Sequence, residues 1–320
     1  MQKIVVTDAT YPDFDREREV AARHRAQFLA AECKTPQDVI EAVRDADVVL
    51  VQYARINDEV LAHMRSSAVV IRYGLGLDNI DLDAARRRGI RVAYVPDYAT
   101  GEVADHTAAL VLAALRRIVA LDRSVRAGLW DAASVCAPLP SFQKSAVGFV
   151  GFGRIGRQVH ERLKPFGFAA LVADPFASPT EIAARGAIPM EIDTLFMQAD
   201  VITLHAPLTA ETRHVVNAVR LASMKRTAVL VNTARGALVD TAALVHALSQ
   251  NQIAAAALDV FEHEPLPPDS PLRTLPNVIL SPHASWYSDT AAERVQALAA
   301  DEVDRALSGK PCRCPAQAAP

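Results

Sequence analysis

Residues 148–156 read Gly-Phe-Val-Gly-Phe-Gly-Arg-Ile-Gly, and this glycine-rich stretch decides the fold. The run that leads into it, residues 146–150, is typical of a buried strand. The segment that follows has apolar residues at helical spacing, at Ile155, Val159 and Leu163. The sequence therefore predicts a strand, a tight turn and a helix in direct succession.

Each glycine of the turn has a use if the loop binds a dinucleotide. Gly151 permits the tight bend, Gly153 lets the main chain approach a pyrophosphate, and Gly156 lets the helix pack against the strand. The helix begins near Arg154, so its N-terminus would face the phosphates. We therefore predict a dinucleotide-binding loop.

An acidic residue indicates which dinucleotide is bound. Asp174 ends the next apolar run, residues 169–173, and follows Gly151 by 23 positions. A carboxylate at this place accepts hydrogen bonds from ribose hydroxyls and repels a 2′-phosphate. Residues 175–178 contain no cation that would attract such a phosphate. These features favour NAD over NADP.

The composition is that of a globular protein large enough for two domains. The chain has 320 residues, of which 51% are hydrophobic, and a formal net charge of −3 at pH 7. Its Lys and Arg residues are scattered, which disfavours binding to nucleic acid or to an anionic membrane. We find neither a signal peptide nor a run of the ~20 apolar residues that span a bilayer, so a cytoplasmic location is expected.

The four cysteines fit a reducing compartment. Cys312 and Cys314 form a close pair, but no second Cys or His pair lies near them in sequence. We therefore expect no metal site, and we expect an exposed tail in the Pro-, Ala- and Cys-containing segment 311–320.

Short apolar runs alternate with helix-compatible segments in both halves of the chain, which predicts an α/β fold with parallel sheets. The first half has strand-like runs at residues 4–6, 48–51, 69–71 and 92–95. In the second half we expect a doubly wound, Rossmann-type sheet of about six strands. Its runs are residues 146–150, 169–173, 201–205, 228–232, 254–259 and 278–281.

Two helical segments frame the second half. Residues 105–129 are predicted to form one long helix rich in Ala and Leu, at the junction between the two domains. Residues 290–307 are again helical and are expected to return to the first domain. We therefore expect a flavodoxin-like substrate-binding domain of residues 1–99 plus 288–320, with a Rossmann domain of residues 100–287 inserted into it.

Titratable side chains follow three consecutive strands of the second half, namely Arg235, Glu264 and His283. In open α/β sheets, ligands bind beyond the carboxyl ends of the strands. Hydride transfer between a nicotinamide and a 2-oxo or 2-hydroxy acid needs a cation, which Arg235 supplies, and an acid or base, which His283 supplies. Glu264 would orient the imidazole and favour its charged form.

Each of these residues alone has an ordinary structural explanation. An Arg after a strand is usually a surface residue, a single His is more often structural than catalytic, and a Glu before Pro commonly begins a loop. Their joint placement in a domain with a nucleotide loop favours catalysis. His263 adjoins Glu264, but His283 opens a Ser-Pro-His turn directly after a strand and is the better candidate.

The ordered motifs of the chain resemble the D-isomer-specific 2-hydroxyacid dehydrogenases from about residue 69 to residue 309. Besides the glycine loop and the strand-end segments, the resemblance rests on Arg-Tyr-Gly-Leu-Gly-Leu-Asp-Asn-Ile-Asp at 72–81, Glu-Val-Ala-Asp-His at 102–106 and His-Ala-Pro-Leu-Thr at 205–209. The spacing of 29 residues from Arg235 to Glu264 and of 19 from Glu264 to His283 matches the family. The resemblance implies that Arg235 binds the substrate carboxylate and carbonyl, that His283 donates the proton in reduction, and that Glu264 is its partner.

The same resemblance implies the remaining contacts. Backbone amides of Leu75 and Gly76 would bind the substrate carboxylate, Thr107 would lie near the phosphates, and Asp259 would lie at the nicotinamide carboxamide. The full set of expected cofactor residues is Thr107, Gly151, Gly153, Arg154, Ile155, Gly156, Asp174, His205, Ala206, Pro207, Thr209, Thr233, Ala234, Asp259 and Ala284.

The segment His-Ala-Ser-Trp-Tyr-Ser at 283–288 is similar to the branch of this family that contains the C-terminal binding proteins. By that resemblance Trp286 would wall the substrate pocket and Arg72 would face the substrate. The alternatives are a core or interface role for Trp286 and a solvated Arg72.

Three functions follow from these observations. The favoured one is NAD-dependent reduction of a small or medium 2-oxo acid, glyoxylate- or hydroxypyruvate-like or bulkier, to its D-2-hydroxy acid. A formate or phosphite dehydrogenase is an alternative, although formate enzymes resemble this pattern with Gln in place of Glu264. An NAD(H)-sensing binding protein related to transcriptional corepressors is the other. The resemblance also implies a homodimer formed through the NAD-binding domain, with residues 105–129 as a candidate interface. The alternative for residues 105–129 is a buried crossover helix.

Overall fold

A computed structural model of the chain describes residues 1–316. The chain forms two compact units, one made of Met1–Ala99 together with the chain from Tyr287 on, the other made of Thr100–Trp286. Each unit contains one parallel sheet with helices between the strands. The predicted α/β class with two parallel sheets is confirmed.

Residues 1–316 form twelve strands, which are, in chain order, β1 (Lys3–Val6), β2 (Gln27–Ala30), β3 (Val48–Val51), β4 (Val69–Arg72), β5 (Arg91–Tyr94), β6 (Ala146–Val150), β7 (Ala169–Ala173), β8 (Ile188–Pro189), β9 (Val201–Leu204), β10 (Val229–Asn232), β11 (Ala255–Leu258) and β12 (Val278–Leu280). The α-helices are α1 (Asp15–His24), α2 (Pro36–Val43), α3 (Asp58–Ala62), α4 (Leu82–Arg87), α5 (Thr100–Leu115), α6 (Ile118–Arg126), α7 (Ala132–Cys136), α8 (Arg154–Leu163), α9 (Pro179–Ala184), α10 (Ile192–Gln198), α11 (Ala218–Ser223), α12 (Thr241–Ser249) and α13 (Asp289–Leu307). None of the helices in residues 1–316 has the length and apolar character needed to cross a bilayer.

The first unit has the strand order β2-β1-β3-β4-β5, which is the flavodoxin-like order. Helix α13 packs against α1 and against β3 and β4. The sequence did not predict β2, because this edge strand alternates between exposed and half-buried residues and so lacks an apolar run.

The second unit has the order β12-β11-β10-β9-β6-β7-β8, with every neighbouring pair parallel. Alternate residues of its central strands point to opposite faces, and both faces are buried. In β9, for example, Ile202 packs in one core cluster and Val201 in the other. The sheet has seven strands where about six were predicted, because β8 has only two residues and includes Pro189.

The prediction of one helix over residues 105–129 is wrong. The segment forms α5 and α6, and between them Arg117 adopts a left-handed backbone conformation with φ of 55°. A residue in this conformation interrupts the hydrogen-bond ladder of a right-handed helix. Helix α5 packs on α8 and the sheet, whereas α6 has no buried residue.

The prediction of an exposed tail is wrong for residues 312–316. Cys312 and Cys314 are half-buried, and Tyr94 donates its backbone N–H to the carbonyl of Cys314. The buried carboxylate of Glu302 accepts the backbone N–H groups of Arg313 and Cys314. The segment is therefore paired with the edge of the sheet at β5. Residues 317–320 of the predicted tail lie outside the described residues.

Candidate functional site

The glycine loop that follows β6 is shaped by close backbone packing. Gly151 has φ of 90°, and a Cβ there would lie 2.7 Å from the carbonyl carbon of His205. A Cβ on Gly156 would lie 2.7 Å from the carbonyl oxygen of Gly151. Only glycine fits at these two positions. A Cβ on Gly153 would meet nothing within 4 Å, so the loop leaves open space at the start of α8.

This open space is suited to a dinucleotide. Gly153 is the N-cap of α8 and offers no side-chain cap, so the N-terminal end of this ten-residue helix is open to a ligand. Asp174, at the end of β7, accepts the backbone N–H of Phe152 at 2.6 Å through one oxygen and that of Phe176 at 2.8 Å through the other. Each carboxylate oxygen can accept a further hydrogen bond, so Asp174 retains the capacity to bind ribose hydroxyls. The residues present therefore fit NAD.

The loop after β9 lies beside the glycine loop, at the point where the strand order of the sheet reverses. His205 donates its backbone N–H to the carbonyl of Val150 at 2.7 Å, and its ring stacks on Phe149. Burial lowers the pKa of His205 to about 3, so its imidazole is neutral at ordinary pH. The loop is braced further along, where Thr212 donates its hydroxyl to the carbonyl of Pro207 at 2.7 Å. Ala206 and Thr209 belong to the same loop.

Arg235 is held by a turn that Asn232 organises. The buried amide of Asn232 donates to the carbonyl of Arg235 at 2.8 Å and accepts the backbone N–H of Ala234 at 3.0 Å. The guanidinium of Arg235 is half-buried and donates to the carbonyl of Ala234. A Cβ on Gly236 would lie only 1.8 Å from the carbonyl carbon of Phe261, so glycine allows this turn to touch the loop after β11. The sequence pattern alone did not indicate Gly236, although a glycine directly after Arg235 is a sign of close backbone packing there.

Glu264 and His283 form a close titratable pair in the loops that follow β11 and β12. His283 Nδ1 lies 2.7 Å from Glu264 Oε2, and the other oxygen of Glu264 accepts the backbone N–H of Phe261 at 2.9 Å. Because a carboxylate only accepts, Nδ1 carries the proton in this pair and Nε2 is directed to other partners. About a third of each side chain is exposed, 30% for His283 and 33% for Glu264, so the pair is reachable by a small molecule.

The turn that carries His283 is built around Asp259. His283 has φ of 52°, which is uncommon for a residue other than glycine, and it donates its backbone N–H to the carbonyl of Asp259 at 2.8 Å. The fully buried carboxylate of Asp259 accepts the hydroxyl of Ser281 and the backbone N–H groups of Ala284 and Ser285. Asp259 thus fixes the left-handed turn. Its expected contact with the nicotinamide carboxamide stays a prediction.

Two threonines of the expected cofactor set pair with each other. Thr107 on α5 is fully buried and donates its hydroxyl to the carbonyl of Val103 at 2.7 Å. The hydroxyl of Thr233 lies 2.7 Å from that of Thr107 and is therefore the donor between them. These bonds fasten α5 to the end of β10, and the expected contact of Thr107 with phosphate stays a prediction. Nε2 of His106, a residue outside the predicted site, lies 3.2 Å from the hydroxyl oxygen of Ser281.

The expected substrate residues Arg72, Leu75 and Gly76 belong to the first unit, and Trp286 to the second. Arg72 ends β4 and donates through Nη1 to the carbonyl of Tyr73. Gly74 follows with φ of 129°, and a Cβ there would collide with Arg72 Nη1 at 1.8 Å. Leu75 is 38% exposed, so the tip of this loop is open. Trp286 is half-buried. No group of three His, Cys, Asp or Glu suited to a metal occurs among residues 1–316.

Comparison with known proteins shows relatives of the segment that contains the glycine loop. A profile of the D-isomer specific 2-hydroxyacid dehydrogenase, NAD binding domain, matches residues 108–285. A glyoxylate reductase of Thermofilum pendens is 39% identical over 86% of this chain and 82% of its own length. A D-3-phosphoglycerate dehydrogenase of Methanocaldococcus jannaschii is 38% identical over 97% of this chain, which spans only 58% of that relative's length.

Solved structures agree with these sequence relatives. A D-lactate dehydrogenase from Aquifex aeolicus, solved with NAD and lactic acid, superimposes with a TM-score of 0.85 at 27% identity and covers 96% of each chain. The second unit therefore contains an NAD-binding domain of the type found in these enzymes. The chain belongs to the D-isomer-specific 2-hydroxyacid dehydrogenase family.

Proposed function

We propose that the protein is an NAD-dependent D-2-hydroxyacid dehydrogenase that interconverts a small or medium 2-oxo acid and its D-2-hydroxy acid. The observation that carries the proposal is the 2.7 Å pair of His283 and Glu264. This pair lies in the unit that holds the glycine loop, and the turn of Arg235 touches the loop of Glu264 through Gly236. A formate dehydrogenase is disfavoured, because formate enzymes resemble this pattern with Gln at the position of Glu264.

The residues that would hold NAD are the glycine loop with Arg154 and Ile155, Asp174, the loop 205–209, and the strand-end residues Thr233, Ala234, Asp259 and Ala284. The bound dinucleotide supplies the hydride. Asp174 favours NAD over NADP because its charge repels a 2′-phosphate.

The protein's own side chains bind the acid and move the proton. Arg235 binds the carboxylate and polarises the carbonyl, since a guanidinium matches both acceptors. Because Nδ1–H of His283 is committed to Glu264, Nε2 is the atom that gives a proton to the carbonyl oxygen in reduction and takes it back in oxidation. Glu264 holds the imidazole in place through its bond to Nδ1. The amides of Leu75 and Gly76 in the first unit would bind the carboxylate, and Arg72 of the same unit would face the substrate. Trp286 of the second unit would wall the substrate pocket.

The proposed substrates are a class of acids that share one reacting group. The relatives are named for glyoxylate, phosphoglycerate and lactate, all of which share the 2-oxo or 2-hydroxy acid group and differ in the side chain. Arg235, His283 and the amides of the first unit act on the shared group. We therefore propose a glyoxylate- or hydroxypyruvate-like acid, or a bulkier one, as the substrate.

We also propose that the protein is a cytoplasmic homodimer formed through its second unit. Helix α6 and the turn after it leave Ile118, Val125, Leu129 and Trp130 between 53% and 91% exposed. A groove of about 200 Å³ beside α5 and α6 is lined largely by apolar residues, including Val119, Val135 and Val278. An exposed apolar surface of this kind is typical of an interface between subunits.

Replacing His283 tests the proposed acid–base role. His283→Gln should lower turnover of a 2-oxo acid by ~10²–10⁴-fold while leaving the dissociation constant of NADH nearly unchanged. His263→Gln is the matched control, because His263 is an exposed histidine in the loop of Glu264 and has no part in the proposed chemistry. Equal turnover in the two variants would remove His283 from the mechanism.

A further inference from the structure

The first unit buries a carboxyl group that the proposed chemistry does not use. Glu17 lies in the first turn of α1 and is 0% exposed. Its Oε1 accepts the hydroxyl of Tyr73 at 2.7 Å. Its Oε2 has no hydrogen-bond partner among residues 1–316. A buried acid that is only half satisfied is costly, so its presence calls for a reason.

Tyr73 connects this acid to the loop expected to bind substrate. The residue is 1% exposed, its ring meets that of Tyr11 edge-on at a centroid distance of 5.1 Å, and its backbone N–H donates to the carbonyl of Val51 at 2.9 Å. Gly74 comes next with φ of 129°, and its carbonyl accepts the N–H of Val95 at 3.1 Å. Tyr73 is thus the last anchored side chain before the exposed tip at Leu75.

The Glu17–Tyr73 pair is suited to fixing the orientation of the Tyr73 ring. Burial raises the pKa of Glu17 and of Tyr73, which disfavours a charge on either group. An apolar residue at position 17 would avoid the cost of burying a carboxyl, but it would leave the Tyr73 hydroxyl without an acceptor. A directional bond fixes one orientation of the ring, which packing alone specifies less sharply.

We propose that Glu17 is a positioning residue, which through the Tyr73 hydroxyl holds the loop of Gly74, Leu75 and Gly76 in the conformation that presents its amides to the substrate carboxylate. The inference rests on the proposed function and adds to it a residue on α1 that touches neither substrate nor cofactor. Loss of the anchor should therefore weaken substrate binding without altering the hydride-transfer machinery of the second unit.

Steady-state kinetics on three variants tests the proposal. Glu17→Ala and Tyr73→Phe should each raise KM for the 2-oxo acid about five-fold, as expected for the loss of one hydrogen bond. In both variants kcat and the dissociation constant of NADH should stay within about two-fold of wild type. Glu17→Gln should behave like wild type, because its amide oxygen can still accept the Tyr73 hydroxyl. Amide hydrogen exchange of the peptide spanning residues 72–78, measured without ligand, should accelerate in the first two variants only.

Glu302→Ala is the matched control, because Glu302 is a 1% exposed glutamate of the same unit that binds residues 313–314 instead. An unchanged KM in Tyr73→Phe, or equal effects of Glu17→Ala and Glu302→Ala, would overturn the positioning role. If Glu17→Ala fails to fold, Tyr73→Phe decides the question, because it preserves the ring and its packing. If wild type reduces no 2-oxo acid, the proposed function fails and this inference fails with it; if only the KM pattern is absent, the inference alone fails.

Discussion

At the residue scale, the second unit places the proposed catalytic histidine, His283, on a strained turn that Asp259 holds. His283 has a left-handed backbone conformation, and Asp259 supplies both a carbonyl and a buried carboxylate to hold it. Glu264 then binds the ring from the neighbouring loop. Strained conformations persist only where surrounding contacts determine them, as they do here. The orientation of the imidazole is therefore set before any substrate arrives.

Asp174 should determine the choice between NADH and NADPH. Asp174→Ala removes the proposed acceptor of the ribose hydroxyls and should weaken NADH binding by about 10-fold or more. Binding of NADPH should weaken less, because the repulsion of its 2′-phosphate is lost as well. Fluorescence titration of both cofactors measures this. Asp174→Asn keeps an acceptor and the shape but not the charge, so it separates the loss of the ribose hydrogen bonds from the loss of charge repulsion. An unaltered ratio of NADH to NADPH affinity in both variants would contradict the proposed role of Asp174.

His205 should make the protein sensitive to acid. Its native pKa of about 3 lies below the ~6.5 of an unfolded chain, so unfolding takes up a proton below pH ~6.5. The free energy of unfolding is therefore unaffected by His205 well above pH ~6.5, and it falls as the pH is lowered through ~6.5 toward the native pKa. Between about pH 7.5 and about pH 5.5 the loss is up to about 1.4 kcal/mol. His205→Asn should lose correspondingly less stability over this interval in thermal unfolding; the same loss in both proteins would show that His205 is protonated in the native state.

At the element scale, the ends of parallel strands explain why residues far apart in sequence lie at the same edge of one sheet. Arg235, Glu264 and His283 follow β10, β11 and β12, which are neighbours in the sheet. Hydrophobic runs and glycines were enough to predict these strands and the loops beyond them. They did not predict Gly236, the turn-forming bonds of Asp259, or the break at Arg117. These features depend on contacts between loops or on backbone angles, and neither has a periodic signature in the sequence.

The exposed face of α6 should be the homodimer contact. Val125→Asp places a charge on this face and should convert the dimer to a monomer, because an unpaired charge in an apolar interface is costly. Sedimentation velocity at micromolar concentration measures the change. Val219→Asp is the matched control, since Val219 is a 78% exposed valine on α11 of the same unit. A monomeric wild type, or a dimer that survives Val125→Asp, would exclude α6 as the interface.

At the scale of the whole molecule, the proposed catalytic residues and the expected substrate-binding loop belong to different units, each with its own parallel sheet. The unit with the glycine loop carries the proposed acid–base pair and the arginine, and the other carries the loop from Arg72 to Gly76. The order of motifs along the chain was sufficient to predict both sheets and the family. The substrate side chain was not predictable, because no periodicity or motif encodes the shape of a pocket. Relatives named for different acids on one scaffold illustrate the same limit.

The most direct test of the central claim is the rate of NADH oxidation with a panel of 2-oxo acids graded by side-chain size, run for wild type and for Arg235→Ala. We expect wild type to prefer one acid and to prefer NADH over NADPH. Arg235→Ala should lose turnover and bind the acid more weakly, because a charge-assisted carboxylate contact is worth about 1.5–3 kcal/mol. Tight NADH binding with no turnover of any acid, or full activity without Arg235, would contradict the account.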